Sequence, residues 1–198
     1  MAKIGVLALQ GAFAEHIAAL RKLGANCVEL RQLADLDQDL DGLILPGGES
    51  TVMGKLLREL NMFQPLKQRI QEGLPVFSTC AGLILLAERT ENQEKTYFAL
   101  MDITVRRNAF GRQLGSFSTV AEFSGLGPIP MIFIRAPYIS QVGSHAQVLA
   151  QVDGNIVAAR QDHMLCTAFH PELSSDLRVH GYFLNMVYEA ATAKASVA

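Results

Sequence analysis

The sequence predicts a mostly parallel α/β sheet with helices on both faces and an antiparallel extension. Three observations carry this expectation. Short, nearly continuous apolar runs alternate with amphipathic stretches through the first part of the chain. Beyond Glu91 the pattern changes to short alternating strands separated by turn residues. One long amphipathic stretch then closes the chain.

The elements follow in order. "KIGVLALQ" (3–10) is an apolar run closed by Gly11 and reads as a buried parallel strand. "AFAEHIAALRKLG" carries Phe13, Ile17 and Leu20 at helical spacing, with Gly24 as its C-terminal stop. "NCVEL" is a second strand and "GLILP" a third, followed by "GGES". "TVMGKLLREL" and "FQPLKQRIQEG" are helices, with Ser50 suited to cap the first of them from its N-terminal side. "LPVFST" is a fourth strand and "AGLILLAER" the helix after it. "MDITVRRNAFGRQ", "SFSTVAEF", "PMIFIRAPYI" and "QVLAQVDGNIVAARQDHMLCTAF" are short strands, with "VDGN" as a hairpin turn. In "DLRVHGYFLNMVYEAATAK", Leu177, Phe183, Leu184, Val187 and Ala191 share one helical face.

Composition narrows the class. A chain of 198 residues with 49% hydrophobic and 18% charged residues can bury a substantial core, and residues 1–198 are expected to form one domain. A net charge of −2 gives no reason to expect nucleic acid or an anionic membrane as partner. The opening apolar run is too short for a membrane span and lacks a cleavage site. Cys27, Cys80 and Cys166 stand far apart, which offers neither a disulfide framework nor a zinc pattern and fits a reducing cytoplasm.

Chemistry is concentrated in a few stretches. In "VFSTCAGLILLA" (76–87), Cys80 stands where a strand gives way to a helix, with Ser78, Ala81 and Gly82 keeping the turn small. That is the layout of a nucleophile elbow with cysteine in the serine position. The helix start would favour its thiolate. A small buried hydrophobe is the competing reading, and it suits Cys27 and Cys166. Of five histidines, His170 ends an apolar run and is followed by Pro171 and Glu172. Two residues apart on an extended chain, Glu172 could accept from one imidazole nitrogen while the other faces a thiol. A surface turn is the alternative. "LPGGES" (45–50) ends the third strand on the same sheet edge as Cys80, where two glycines let backbone N–H groups approach an oxyanion. It is not a phosphate loop, because the spacing between glycines and the residue after Lys55 are wrong. Arg106, Arg107 and Arg135 lie at strand ends, as solvated arginines or as a clamp for a carboxylate.

Together these stretches resemble the triad-type glutamine amidotransferases, and within them the glutaminase subunits of pyridoxal 5′-phosphate synthases. "IGVLALQGAFAEH", "LDGLILPGGESTVM", "TCAGLILLA", "RRNAFGRQ", "FIRAPYI" and "FHPEL" carry the resemblance, in order, from residue 4 to residue 173. The resemblance implies a three-layer, flavodoxin-like sandwich. It implies Cys80 as nucleophile, His170 as base and Glu172 as its orienting carboxylate. Gly48, Glu49, Ser50, Arg107, Ile134 and Arg135 would hold glutamine. Gly47, Gly48 and the N–H of Ala81 would form the oxyanion site. Ammonia would pass to a synthase (lyase) partner in a large hetero-oligomer, with no cofactor and no metal on this chain. Ser78 departs from the family's usual glycine two residues before the nucleophile. Two other readings compete: a thiol redox or stress protein on the same fold, and a binding subunit that has lost its chemistry.

Overall fold

The structure is a computed structural model that describes residues 1–91, 95–107 and 115–195. Its parallel half contains β1 (Lys3–Leu7), α1 (Phe13–Lys22), β2 (Asn26–Leu30), β3 (Gly42–Leu45), α2 (Ser50–Glu59), α3 (Phe63–Gln71), β4 (Val76–Thr79) and α4 (Ala81–Leu86). Then follow β5 (Ala87–Thr90), β6 (Met101–Arg106), β7 (Ser116–Phe123), β8 (Gly127–Ile134), β9 (Tyr138–Val142), β10 (Gln147–Val152), β11 (Asn155–Gln161) and β12 (Met164–Thr167). The helix α5 (Arg178–Ala195) comes last.

The main path through the sheet runs β2-β1-β3-β4-β12-β11-β10-β7-β8. β1 pairs in parallel with β2 and β3, β3 with β4, and β4 with β12. From β12 outward the pairing is antiparallel, so the extension read from the sequence is present. β12 is therefore the seam: parallel to β4 on one side, antiparallel to β11 on the other.

Burial explains the two halves. β3, β4 and β12 are buried at every position, as expected for strands covered on both faces. Each fully buried Leu, Ile or Phe there contributes roughly 1.5–3 kcal/mol relative to exposure. β7 instead alternates, because one of its faces meets water. Phe117 and Phe133 stack across β7 and β8 at 4.5 Å between ring centres. Asp153 and Gly154 both have positive φ, which makes "VDGN" the tight hairpin expected of it.

Four local expectations need correction. The "AGLILLAER" helix ends at Leu86, because Ala87–Thr90 leaves it to pair in parallel with β6. "PMIFIRAPYI" is two strands, broken at Arg135, whose φ of 42° is incompatible with a strand. Helix α2 begins at Ser50 itself; its cap is Glu49, whose side chain accepts the N–H of Val52. In α5, Phe183, Leu184 and Val187 are buried but Ala191 is exposed, since the last turns of the helix run past the core.

Candidate active site

The C-terminal ends of β1, β3, β4 and β12 open on one edge of the sheet, where parallel α/β folds place their sites. β4 delivers Cys80. Its backbone has φ 47° and ψ −99°, a strained conformation for a residue with a side chain. The strain holds the sharp strand-to-helix turn, and it is locked by the Cys80 N–H donating to the Thr167 carbonyl at 2.8 Å. Gly82 is needed in the turn: a Cβ there would lie 2.0 Å from the Leu45 carbonyl oxygen. Ser78 is accommodated, its hydroxyl donating to the Leu165 carbonyl at 3.3 Å. The other two thiols lie away from the cavity. Burial raises the pKa of Cys27 and pushes Cys166 up to about 12.

β12 delivers His170. Its N–H donates to the Ile132 carbonyl at 2.8 Å, which ties it to β8. Its Nδ1 lies 2.7 Å from Glu172 Oε1, and the Cys80 side chain lies beside its ring. The expected pairing is present, but an extended segment does not make it. Residues Pro171–Leu173 form a 3-10 turn, and the turn brings the carboxylate back onto the ring. Burial alone would lower the His170 pKa; the bonds from Cys80 and Glu172 outweigh it and raise the value to about 10. The His170 imidazole therefore carries a proton at neutral pH.

A cavity of about 530 Å³ lies over this pair, a volume suited to a small molecule. Gly47, Gly48, Glu49, Ser50, Cys80 and Ala81 line one part of it. Arg107, Ile134, Arg135 and His170 line another. Glu172 is the one predicted site residue behind the wall, fully buried under His170. Gly47 packs directly on the pair: a Cβ there would stand 2.4 Å from His170 Cε1. Its carbonyl accepts the Ala12 N–H at 3.1 Å, while Gln10 Oε1 accepts the Glu49 N–H at 2.7 Å. Arg107 Nη2 lies 3.1 Å from Glu49 Oε1. Burial works against the Glu49 charge, but bonds from Thr51 and Val52, with Arg107 nearby, keep its pKa below the ordinary value. Ser50 Oγ is buried without a hydrogen-bond partner and lines the cavity, so it has bonding capacity left for a ligand. Arg106 turns outward to Glu91, as the alternation of adjacent strand residues requires. The rest of the "RNAFGRQ" motif, residues 108–113, lies outside the described residues.

Residues 6–189 match the SNO glutamine amidotransferase family. The chain belongs to that family. A pyridoxal 5′-phosphate synthase subunit PdxT of Streptococcus pneumoniae is 58% identical over 190 residues, covering 94% of this chain and 98% of the relative. A crystal structure of a glutamine amidotransferase superposes with a TM-score of 0.88 at 44% identity, covering 93% of this chain and 98% of that one. The crystal structure of a putative GMP synthase protein from Thermoplasma acidophilum shares the fold, with a TM-score of 0.68 at 20% identity and coverage of 98% and 96%.

In this member of the SNO family the Cys80, His170 and Glu172 cluster rests on further buried polar residues. His16 on α1, Thr79 at the end of β4 and His180 on α5 are buried together behind Glu172. A signal for His16 was available. It lies three residues after Phe13 and four before Leu20, on the apolar face of α1. Among the described residues no helix is long and apolar enough to cross a membrane.

Proposed function

We propose that this chain, working as one amidotransferase domain in the cytoplasm, hydrolyses L-glutamine and delivers the ammonia to a synthase partner that makes pyridoxal 5′-phosphate. The 2.7 Å bond from His170 to Glu172, beside Cys80 on its strained turn, is the observation that carries this reading. The Cys80 thiolate attacks the side-chain amide carbon of glutamine. The oxyanion is met by backbone N–H groups of the Gly47–Gly48 segment and of Ala81. His170, already carrying the proton, gives it to the departing ammonia. The glutamyl thioester that remains is hydrolysed by water, which His170 now deprotonates. Glu172 keeps the imidazole aligned and steadies its charge. Gly48, Glu49, Ser50, Arg107, Ile134 and Arg135 hold the substrate. The 58% identical pneumococcal relative is named as a subunit of pyridoxal 5′-phosphate synthase, which supports the choice of acceptor. Nothing in the family match supports the redox alternative. The deciding assay is ammonia release from glutamine by the chain mixed with the synthase subunit. Trapping of a glutamine-analogue thioester on Cys80 should accompany it, and absence of both would defeat the proposal.

The arginines give a second test. Loss of a charge-assisted bond to the substrate carboxylate costs about 1.5–3 kcal/mol, so Arg107→Ala or Arg135→Ala should raise the glutamine KM by about 10- to 150-fold. Unchanged KM in both variants would show that neither arginine binds the substrate carboxylate.

Control by the partner is a third. The Gly47 carbonyl is tied to Ala12 and the Glu49 N–H to Gln10, so the 10–12 loop holds the peptides of the glycine segment in place. A partner seated on that loop acts on the oxyanion donors directly. A missing donor costs about 10²–10³ in rate. The isolated chain should therefore be slower than the complex by about that factor at saturating glutamine. Equal rates would show that no switch exists.

A further inference from the structure

Glu172 has two carboxylate oxygens, and the proposed reaction uses one. Oε1 receives the His170 N–H, whereas Oε2 is buried and has no well-formed hydrogen bond. His16 Nε2 lies 3.4 Å from Oε2 and 3.2 Å from Thr79 Oγ1. On its other side, His16 Nδ1 lies 3.0 Å from His180 Nε2. Both rings are fully buried and lean edgewise on Phe77, at 5.8 and 5.7 Å. Helix α1, strand β4, the 171–173 turn and helix α5 thus meet at one point beneath the reacting pair.

The protons can be placed by elimination. Burial holds the pKa of His16 well below its ordinary value, helped by His180 and His170, and takes His180 down to about 4. Each ring is therefore neutral and carries one N–H. The 3.0 Å contact requires one donor and one acceptor. If His16 were the donor, its Nε2 would accept from the Thr79 hydroxyl, but a His180 N–H would be buried with no acceptor. If His180 donates, the His16 Nε2–H meets Thr79 Oγ1 at 3.2 Å with Oε2 at 3.4 Å, and only an acceptor at His180 Nδ1 stays unmet. The second arrangement removes the buried unmet donor.

We propose that His16, with its tautomer fixed by His180, is a positioning residue for the reaction: its Nε2–H, bonded to Thr79 Oγ1, stands 3.4 Å from Glu172 Oε2 and holds the carboxylate in the orientation in which Oε1 meets His170. A neutral donor suits the task. It anchors the carboxylate without cancelling the charge that steadies the His170 imidazolium, as a buried lysine or arginine would. The proximity to Thr79, one residue before Cys80, lets the same ring brace both arms of the site. The inference rests on the roles assigned to Cys80, His170 and Glu172 above.

The test compares His16→Leu, which removes the donor at similar volume, with His16→Gln, whose amide can present an N–H where Nε2 stood. Two readouts are made. One is kcat and KM for glutamine in the complex with the synthase subunit. The other is the low-field Nδ1–H proton resonance of His170 in the chain itself, assigned by its loss in His170→Ala. Groups that orient a functional imidazole or carboxylate from behind are worth about 10- to 100-fold in activity. His16→Leu should lose that factor in kcat with KM unchanged, and the resonance should weaken or vanish. His16→Gln should recover most of both. Wild-type kcat and an intact resonance in folded His16→Leu would overturn the proposal. So would a folded His16→Gln as impaired as His16→Leu, which would make the ring a packing element only. If His16→Leu fails to fold, His180→Leu serves, because it removes the donor that sets the His16 tautomer and leaves the His16 ring in place. An unchanged resonance and rate there would also overturn the proposal. Should the wild type release no Cys80-dependent ammonia, the glutaminase reading falls, and the resonance still decides whether His16 holds Glu172.

Discussion

Cys80→Ala abolishes glutamine hydrolysis and leaves the chain folded. Removing a nucleophile that acts as one unit with its base costs several orders of magnitude, because the remaining groups have nothing to activate. The fold should survive because the turn is held by backbone contacts: the Cys80 N–H on Thr167 and the close packing of Gly82 on Leu45. Alanine keeps Cβ, so the strain at φ 47° is unaltered and only the sulfur is lost. Ammonia release and a thermal melt on the same preparation check both halves. Residual hydrolysis above a few per cent of wild type, in protein that melts normally, would reassign the nucleophile.

His170→Ala should be nearly as damaging, and Glu172→Gln less so. Glutamine at 172 keeps an acceptor oxygen for the His170 ring but loses the charge that stabilises imidazolium. The His170 pKa should therefore fall from about 10 towards its ordinary 6.5. This has a consequence for stability. A group whose pKa is raised on folding stabilises the fold fully below its unfolded pKa, and that contribution fades as pH climbs through the folded value. Wild type should thus lose thermal stability between about pH 6.5 and 10, and Glu172→Gln should show a shallower decline across that window. Rates in the opposite order would mean that another residue supplies the base. Parallel stability profiles would mean that Glu172 is not what holds the proton on His170.

The sheet was legible because its strands are short and apolar and its turns carry glycine. "NCVEL" and "SFSTVAEF" coincide with β2 and β7 to the residue. The errors fall where tertiary pairing overrides local pattern. "AGLILLAER" has no helix breaker after Leu86, and only β6 alongside it turns Ala87–Thr90 into a strand. "FIRAP" gives no sign that Arg135 takes a left-handed conformation. At the site, residues with an unusual sequence setting could be found: a cysteine among small residues, a Gly-Gly pair after a strand, a His-Pro-Glu. Glu49 as the helix cap and Arg107 as its partner were foreseeable only as members of motifs, not as a pair, since they are 58 residues apart and meet through folding. His180 was hidden for a similar reason, and His16 showed only as a histidine on the apolar face of α1. Each sits in an ordinary amphipathic helix, and their contact spans 164 residues.

The seam strand has a last consequence. Cys80 and His170 follow neighbouring parallel strands in which Thr79 pairs with Thr167, and the Cys80 amide is itself bonded across that pairing. The spacing of the two groups is therefore set by the centre of the sheet, the region whose amides exchange with solvent only when the whole molecule opens. Deuterium should enter the Cys80 amide about as slowly as it enters β4 and β12. Heat should inactivate and unfold the chain at one temperature, with no inactive folded form in between. Loops around the cavity can then vary in pace, or be worked on by a partner, while the two reacting side chains keep their distance until the molecule itself is lost.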